Sequence, residues 1–171
     1  NTTNSGLPDN SVNAIFTDAA NNIWFGTGED FFGSPGFGLA MFDGTNWTTY
    51  NIMNSNLASD HIRSIFQSTN GDIWITTWDG ISIFKNGKFE TIRYLTGLPG
   101  NEVRSVFKDV NGRIWFGTAE DGLSLHDGVN WMPYTKHMGL AGNAIRDISQ
   151  NAAGDMLIAT ASGASVYDGS S

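Results

Sequence analysis

The chain reads as short apolar runs separated by turn-forming residues. From Val12 the run VNAIFTD spans about the length of one strand, and runs of the same make recur at Ile62–Ser68, Val103–Asp109 and Ile145–Asn151. Runs of this length bounded by Gly, Asn and Asp predict β-strands. Each is followed by a tight-turn sequence (AANN, TNGD, VNGR, AAGD) with Asn or Gly where a hairpin needs positive φ. A second run then appears as NIWFGT, DIWITT, RIWFGT and DMLIAT, and a third as LAMFDG, ISIFKN, LSLHDG and ASVYDG. A fourth run is present three times, as NWTTY, KFETI and NWMPY. No window sustains the 3.6-residue apolar period of a helix. The four runs of each unit are labelled strands A to D.

The units repeat. GLPDNSVNAIF begins at Gly6, NLASDHIRSIF at Asn56, GLPGNEVRSVF at Gly97 and GLAGNAIRDIS at Gly139, giving spacings of 50, 41 and 42 residues. The first spacing approaches the others once the extra residues of Gly28–Gly38 are set aside. Four strands per unit at a period of about 42 residues predict an all-β fold, a β-propeller of four-stranded antiparallel blades. The expected blades are 6–50, 56–94, 97–134 and 139–171 within a single domain, 1–171. The sequence stops at YDGSS, before a fourth strand D. The expectation is a partial ring, or a small ring lacking one outer strand, completed by further blades or by a homodimer, because an unpaired strand edge promotes association.

The phrases GLPDNSV, NIWFGT and GLAMFDG, in order and in phase, resemble the two-component regulator propeller repeat, and the resemblance covers nearly the whole chain. It implies a periplasmic or extracellular sensor propeller that recognises a small molecule, often a glycan fragment, and signals to a kinase elsewhere. The fourth unit departs most: Leu157 replaces the strand-B Trp and Ala159 the Gly of FGT.

Composition narrows the partners. A net charge of −8 disfavours nucleic acid and anionic membrane. Without cysteine there are no disulfides or thiolate metal sites. No apolar run reaches the roughly 18 residues of a membrane span, and no signal peptide is visible; a first residue other than Met fits an export signal removed or lying upstream. No cofactor or metal is implied: His61 and His137 sit in linkers without ligand spacing, and His126 takes the place of Phe42, Phe84 and Tyr167 as a packed ring.

The repeats separate scaffold from site, because a residue kept at one position in most units is structural and an off-pattern one is a functional candidate. Trp24, Trp74, Trp115, Trp47 and Trp131 recur and read as inter-blade core. Asp18 and Asp109 read as acceptors for turn amides, and Thr27, Thr77, Thr118 and Thr160 as strand-end hydroxyls bonded to backbone. Two features stand apart. The loops joining strands B and C share a face with the linkers joining strand D to the next strand A. They carry Asp30, Phe31, Phe32, Phe37, Trp78, Asp79, Glu120 and Asp121: aromatic faces edged by carboxylates that suit sugar rings or a protein partner. The alternative is that the Phe-rich loop covers its own blade. In addition, Arg63, Arg104 and Arg146 share the position of Asn13 near the start of strand A, where guanidiniums suit a carboxylate or sulfate; pairing with Glu102 or Asp147 is the structural alternative. No axial His and no nucleophile–base pair supports a lyase or hydrolase. The expected function is therefore a non-catalytic ligand-binding propeller, with a protein-interaction or assembly module as the alternative.

Overall fold

A computed structural model of the chain describes residues 1–28, 37–94 and 96–169. It divides into two compact units, Asn1–Ile92 and Arg93–Ser171. In the first, β1 (Val12–Thr17), β2 (Ile23–Thr27), β3 (Leu39–Phe42) and β4 (Trp47–Tyr50) form one antiparallel sheet in chain order. A second sheet follows from β5 (Ile62–Gln67), β6 (Ile73–Thr77), β7 (Gly80–Lys85) and β8 (Lys88–Ile92). The second unit holds β9 (Val103–Lys108), β10 (Ile114–Thr118), β11 (Leu123–His126) and β12 (Trp131–Tyr134), then a sheet of β13 (Ile145–Gln150), β14 (Met156–Thr160) and β15 (Gly163–Tyr167). These are propeller blades, and the strands lie where the apolar runs predict them. Among the described residues the helical content is a short 3₁₀ turn, Lys136–Met138. The A–B hairpins reverse through residues at positive φ, Asn21 at 64°, Gly71 at 92°, Gly112 at 81° and Gly154 at 96°.

Within each unit, neighbouring blades join through one recurring arrangement. The strand-B ring is buried, Trp24 and Trp115 each 1% exposed, and meets a ring of the following blade edge-on: Trp24 with Phe84 at 5.2 Å and Trp115 with Tyr167 at 5.5 Å. Trp24 and Trp115 also stack on Tyr50 and Tyr134. Ile62 and Ile145, fully buried, enter from strand A of the following blade. Their approach depends on the Gly of FGT: a Cβ on Gly26 would lie 2.3 Å from Ile62 Cγ2, and one on Gly117 2.4 Å from Ile145 Cγ2. Large aromatic burial of this kind is the main apolar gain available to a blade interface.

The buried indole N–H groups of Trp24 and Trp115 each keep an acceptor. Trp24 Nε1 donates to Asp18 Oδ2 at 2.9 Å and Trp115 Nε1 to Asp109 Oδ2 at 3.0 Å. The same carboxylates accept turn amides, Ala20 and Asn22 for Asp18, Asn111 and Arg113 for Asp109. One aspartate thus ties the A–B hairpin to the blade interface. Burial pushes the Asp109 carboxyl up, but the Trp115 indole and Arg113 outweigh it and hold the group below the ordinary carboxylate range. Trp47 and Trp131 differ from expectation. They are half-buried and pack on rings of their own blade, Phe25 and Phe42, or Phe116 and His126, rather than deep between blades.

Gly117→Ala will lower unfolding stability by about 1–3 kcal/mol through overpacking against Ile145, measured by urea denaturation. Asp109→Ala will cost about 1–3 kcal/mol at pH 7, because the buried indole loses its acceptor. A carboxylate with a depressed folded pKa stabilises above its unfolded value near 4 and loses that contribution as pH falls through the folded value. The variant will therefore show a shallower loss of stability below about pH 4 than the parent chain.

Candidate functional site

Every B–C connection is closed by the same bond. The threonine ending strand B donates its hydroxyl to the carbonyl of the glycine that opens strand C: Thr27 to Gly38 at 2.8 Å, Thr77 to Gly80 at 2.9 Å, Thr118 to Gly122 at 2.7 Å and Thr160 to Gly163 at 2.8 Å. The clasp is unchanged in the first blade although Gly28 and Gly38 bracket the insertion. The loop-facing amides are tied to the linkers as well, Gly28 N to Ser11 O, Gly38 N to Asp60 O and Trp78 N to His61 O. Gly38 and Trp78 are thus tied to the segment that leads into β5, and a Cβ on Gly28 would lie 3.1 Å from His61 Cα of that segment.

At that segment the structure brings together residues that the sequence treats separately. The Trp78 ring stacks on His61, centroids 4.3 Å apart and planes 8° apart. The Arg63 guanidinium lies 5.2 Å from the Trp78 ring centroid, within cation–π range. All three side chains are half-buried. His61 Nδ1 is buried, without a hydrogen-bond partner among the described residues. Asp79 follows, its amide donating to Thr77 Oγ1 at 3.1 Å. Phe37, at the end of the insertion, is 40% exposed. Asp30, Phe31 and Phe32 lie outside the described residues.

His61, which the sequence reading left outside the candidate site as a linker residue without ligand spacing, enters it through its stack on Trp78. The signal was present: Ser11, Glu102 and Ala144 occupy the matching positions, so His61 is off-pattern in the same way as Trp78. Asp60 beside it belongs to the scaffold. Its Oδ1 accepts the Ile52 amide at 2.8 Å, the task that Asn10, Asn101 and Asn143 perform for Thr2, Tyr94 and Lys136. With a carboxylate in an amide's place, burial raises the Asp60 pKa above its ordinary value, against the Ile52 amide and His61.

The remaining arginine-position residues diverge. Asn13 bonds to Gly28 O and to Ile62 O. In the second unit Arg104 Nε pairs with Glu102 Oε1 at 2.9 Å, the structural alternative. Arg146 is exposed, and Asp147 Oδ1 accepts the Ile148 amide. Glu120 and Asp121 are exposed, with the Asp121 carboxylate lying over Gly100, where a Cβ would fall 2.0 Å from Oδ2. Of the expected site residues, Arg63 and Trp78 thus form a cluster joined by His61.

Residues 6–29, 56–79 and 97–120 match the family described as two component regulator propeller. No curated protein shows significant similarity to the chain. Among solved structures, the extracellular domain of a hybrid two-component system (BT3049) from B. thetaiotaomicron is similar over 99% of this chain and 23% of its own, at 22% identity and TM-score 0.81. A second such extracellular domain from that organism (BT4673) is similar over 91% of this chain and 23% of its own, at 22% identity and TM-score 0.71. Virginiamycin B lyase from Staphylococcus aureus is similar over 96% of this chain and 56% of its own, at 15% identity and TM-score 0.65. The chain thus spans about a quarter of the length of the two extracellular domains. At these identities the likeness is one of fold.

A double-mutant cycle of Arg63→Ala and Trp78→Ala will give a favourable coupling of about 0.5–1 kcal/mol in urea denaturation, the range of a partly exposed cation–π contact. Additive single effects would contradict the contact.

Proposed function

We propose that this chain, three stretches of which match the two component regulator propeller family, is a non-catalytic ligand-binding segment of an exported bacterial sensor. The observation that carries this reading is the cluster of Arg63, Trp78 and His61 where the B–C loops meet the linker into β5. His61 and Trp78 depart from the repeat, and Arg63, at a position held by Arg in three of the four units, is drawn to them by the Trp78 ring.

The geometry refines the ligand chemistry. Trp78 is not an open platform, because His61 covers one of its faces. Its use is to hold a guanidinium and an imidazole in fixed positions, which lowers the ordering cost of binding. Arg63 offers paired donors suited to a carboxylate or sulfate, and exposed Phe37 adjoins Gly38, whose amide bonds to Asp60 O beside His61. An oligosaccharide carrying an acidic group fits this combination. The cluster favours binding over chemistry: Ser59, the hydroxyl near His61 in sequence, has its Oγ accepting the His61 backbone amide at 3.2 Å rather than standing as a nucleophile beside the imidazole. Export to the periplasm or cell surface is supported by the similar extracellular domains.

Calorimetry against neutral, carboxylated and sulfated oligosaccharides will give saturable binding of an acidic member. Arg63→Ala and Trp78→Ala will each weaken it at least about tenfold, some 1.4 kcal/mol. Absence of binding across the panel, or binding indifferent to both substitutions, would contradict the proposal.

A further inference from the structure

Three asparagines of the chain are followed by glycine, Asn70, Asn86 and Asn111, and each such pair lies in a turn. Asparagine before glycine is chemically labile, because no Cβ keeps the glycine nitrogen away from the asparagine side chain. The structure treats the three pairs differently. In the two A–B hairpins the glycine nitrogen is engaged: Gly71 N donates to Ser68 O at 3.1 Å and Gly112 N to Asp109 O at 2.9 Å. The asparagines are held too. Asn70 Oδ1 accepts the Ser68 hydroxyl and the Asp72 amide, and its Nδ2 donates to Asp72 Oδ2 at 2.8 Å. The Asn111 amide donates to Asp109 Oδ1 at 2.9 Å.

Asn86 and Gly87 are built otherwise. They form the two-residue turn between β7 and β8, with Lys85 paired to Lys88 across it. Both are exposed, and among the described residues neither the Asn86 side chain nor the Gly87 amide has a hydrogen-bond partner. Asn86 has φ 50° and Gly87 φ 76°. Positive φ at both central residues marks a type I′ turn. Rotating the one peptide group between them gives a type II′ turn, in which the first residue keeps its positive φ, its ψ moves to about −120° and the second passes to negative φ. Glycine makes that passage freely, and the pairing of Lys85 with Lys88 is untouched. At that ψ the glycine nitrogen faces the side-chain carbonyl carbon, the disposition a five-membered imide retains. The same rotation at Asn70 or Asn111 would break the bond made by the glycine nitrogen.

We propose that Asn86 is a self-modification site, where the folded chain deamidates through a succinimide ahead of its other Asn-Gly pairs. Hydroxide takes the Gly87 amide proton, and the nitrogen attacks Asn86 Cγ. The N–Cγ bond forms, the Cγ–Nδ2 bond breaks, and Nδ2 leaves as ammonia with a proton taken from water. Water then opens the imide at one carbonyl or the other, giving aspartate or isoaspartate, so that water is consumed and ammonia released. The product adds one carboxylate to a net charge of −8, between Lys85 and Lys88. Isoaspartate also lengthens the main chain of the turn by one carbon. This inference is independent of the ligand site.

The test incubates the folded chain at mildly alkaline pH and physiological temperature and follows the three Asn-Gly peptides by mass spectrometry. Asn86 will lose ammonia at least about tenfold faster than Asn70 or Asn111. In concentrated urea the three rates will converge, because the unfolded chain keeps the dipeptides and loses the turns. Hydrogen exchange in the folded chain will run faster at the Gly87 amide than at those of Gly71 and Gly112. Loss at Asn70 or Asn111 within tenfold of that at Asn86, no loss at Asn86 while the unfolded chain deamidates, or the same ranking in urea would overturn the proposal.

Discussion

The buried indole of strand B, hydrogen-bonded to an aspartate of its own hairpin and pressed edge-on against a ring of the following blade, is the interaction on which the rest depends. Trp24 and Trp115 show it in full. A buried N–H without an acceptor would forfeit much of what the ring's burial contributes. The aspartate removes that penalty and at the same time rigidifies the turn. The glycine two residues on from the Trp completes the arrangement by letting Ile62 or Ile145 reach the strand backbone. Within each unit, neighbouring blades are thereby held through their strands.

That hold through the strands explains why the first blade tolerates its insertion. The Thr27–Gly38 clasp closes strand B onto strand C as the shorter connections are closed, so the added residues leave the sheet register intact. It also explains where chemistry can accumulate. His61, Arg63 and Trp78 come from a linker, a strand start and a B–C loop.

Much of this was legible in the sequence because it repeats. Strand positions, hairpin glycines, the threonine clasps and the roles of Asp18 and Asp109 all follow from comparing one unit with the next. The indole bond to the aspartates did not, because period and propensity place a ring on a face without saying which polar atom meets it. Trp47 and Trp131 were over-read as deep core: recurrence marks them as structural, but their cover is a linker glycine and rings of their own blade, a local contact the pattern alone does not distinguish. His61 escaped for a different reason. Single residues in linkers carry no periodicity, and stacking of His61 on Trp78 is a contact between two off-pattern positions 17 residues apart. Asp60 shows the converse, an acidic side chain beside the cluster that merely does the work of the asparagine found in the other units.

The central claim is that the off-pattern cluster, and not the repeated tryptophans, meets the ligand. Indole N–H resonances followed by heteronuclear NMR during titration with an acidic oligosaccharide test it directly. The account predicts that the Trp78 signal moves in a saturable way while those of Trp24 and Trp115, bonded to their aspartates, stay in place. Shifts centred on Trp24 or Trp115 with Trp78 unmoved would contradict it.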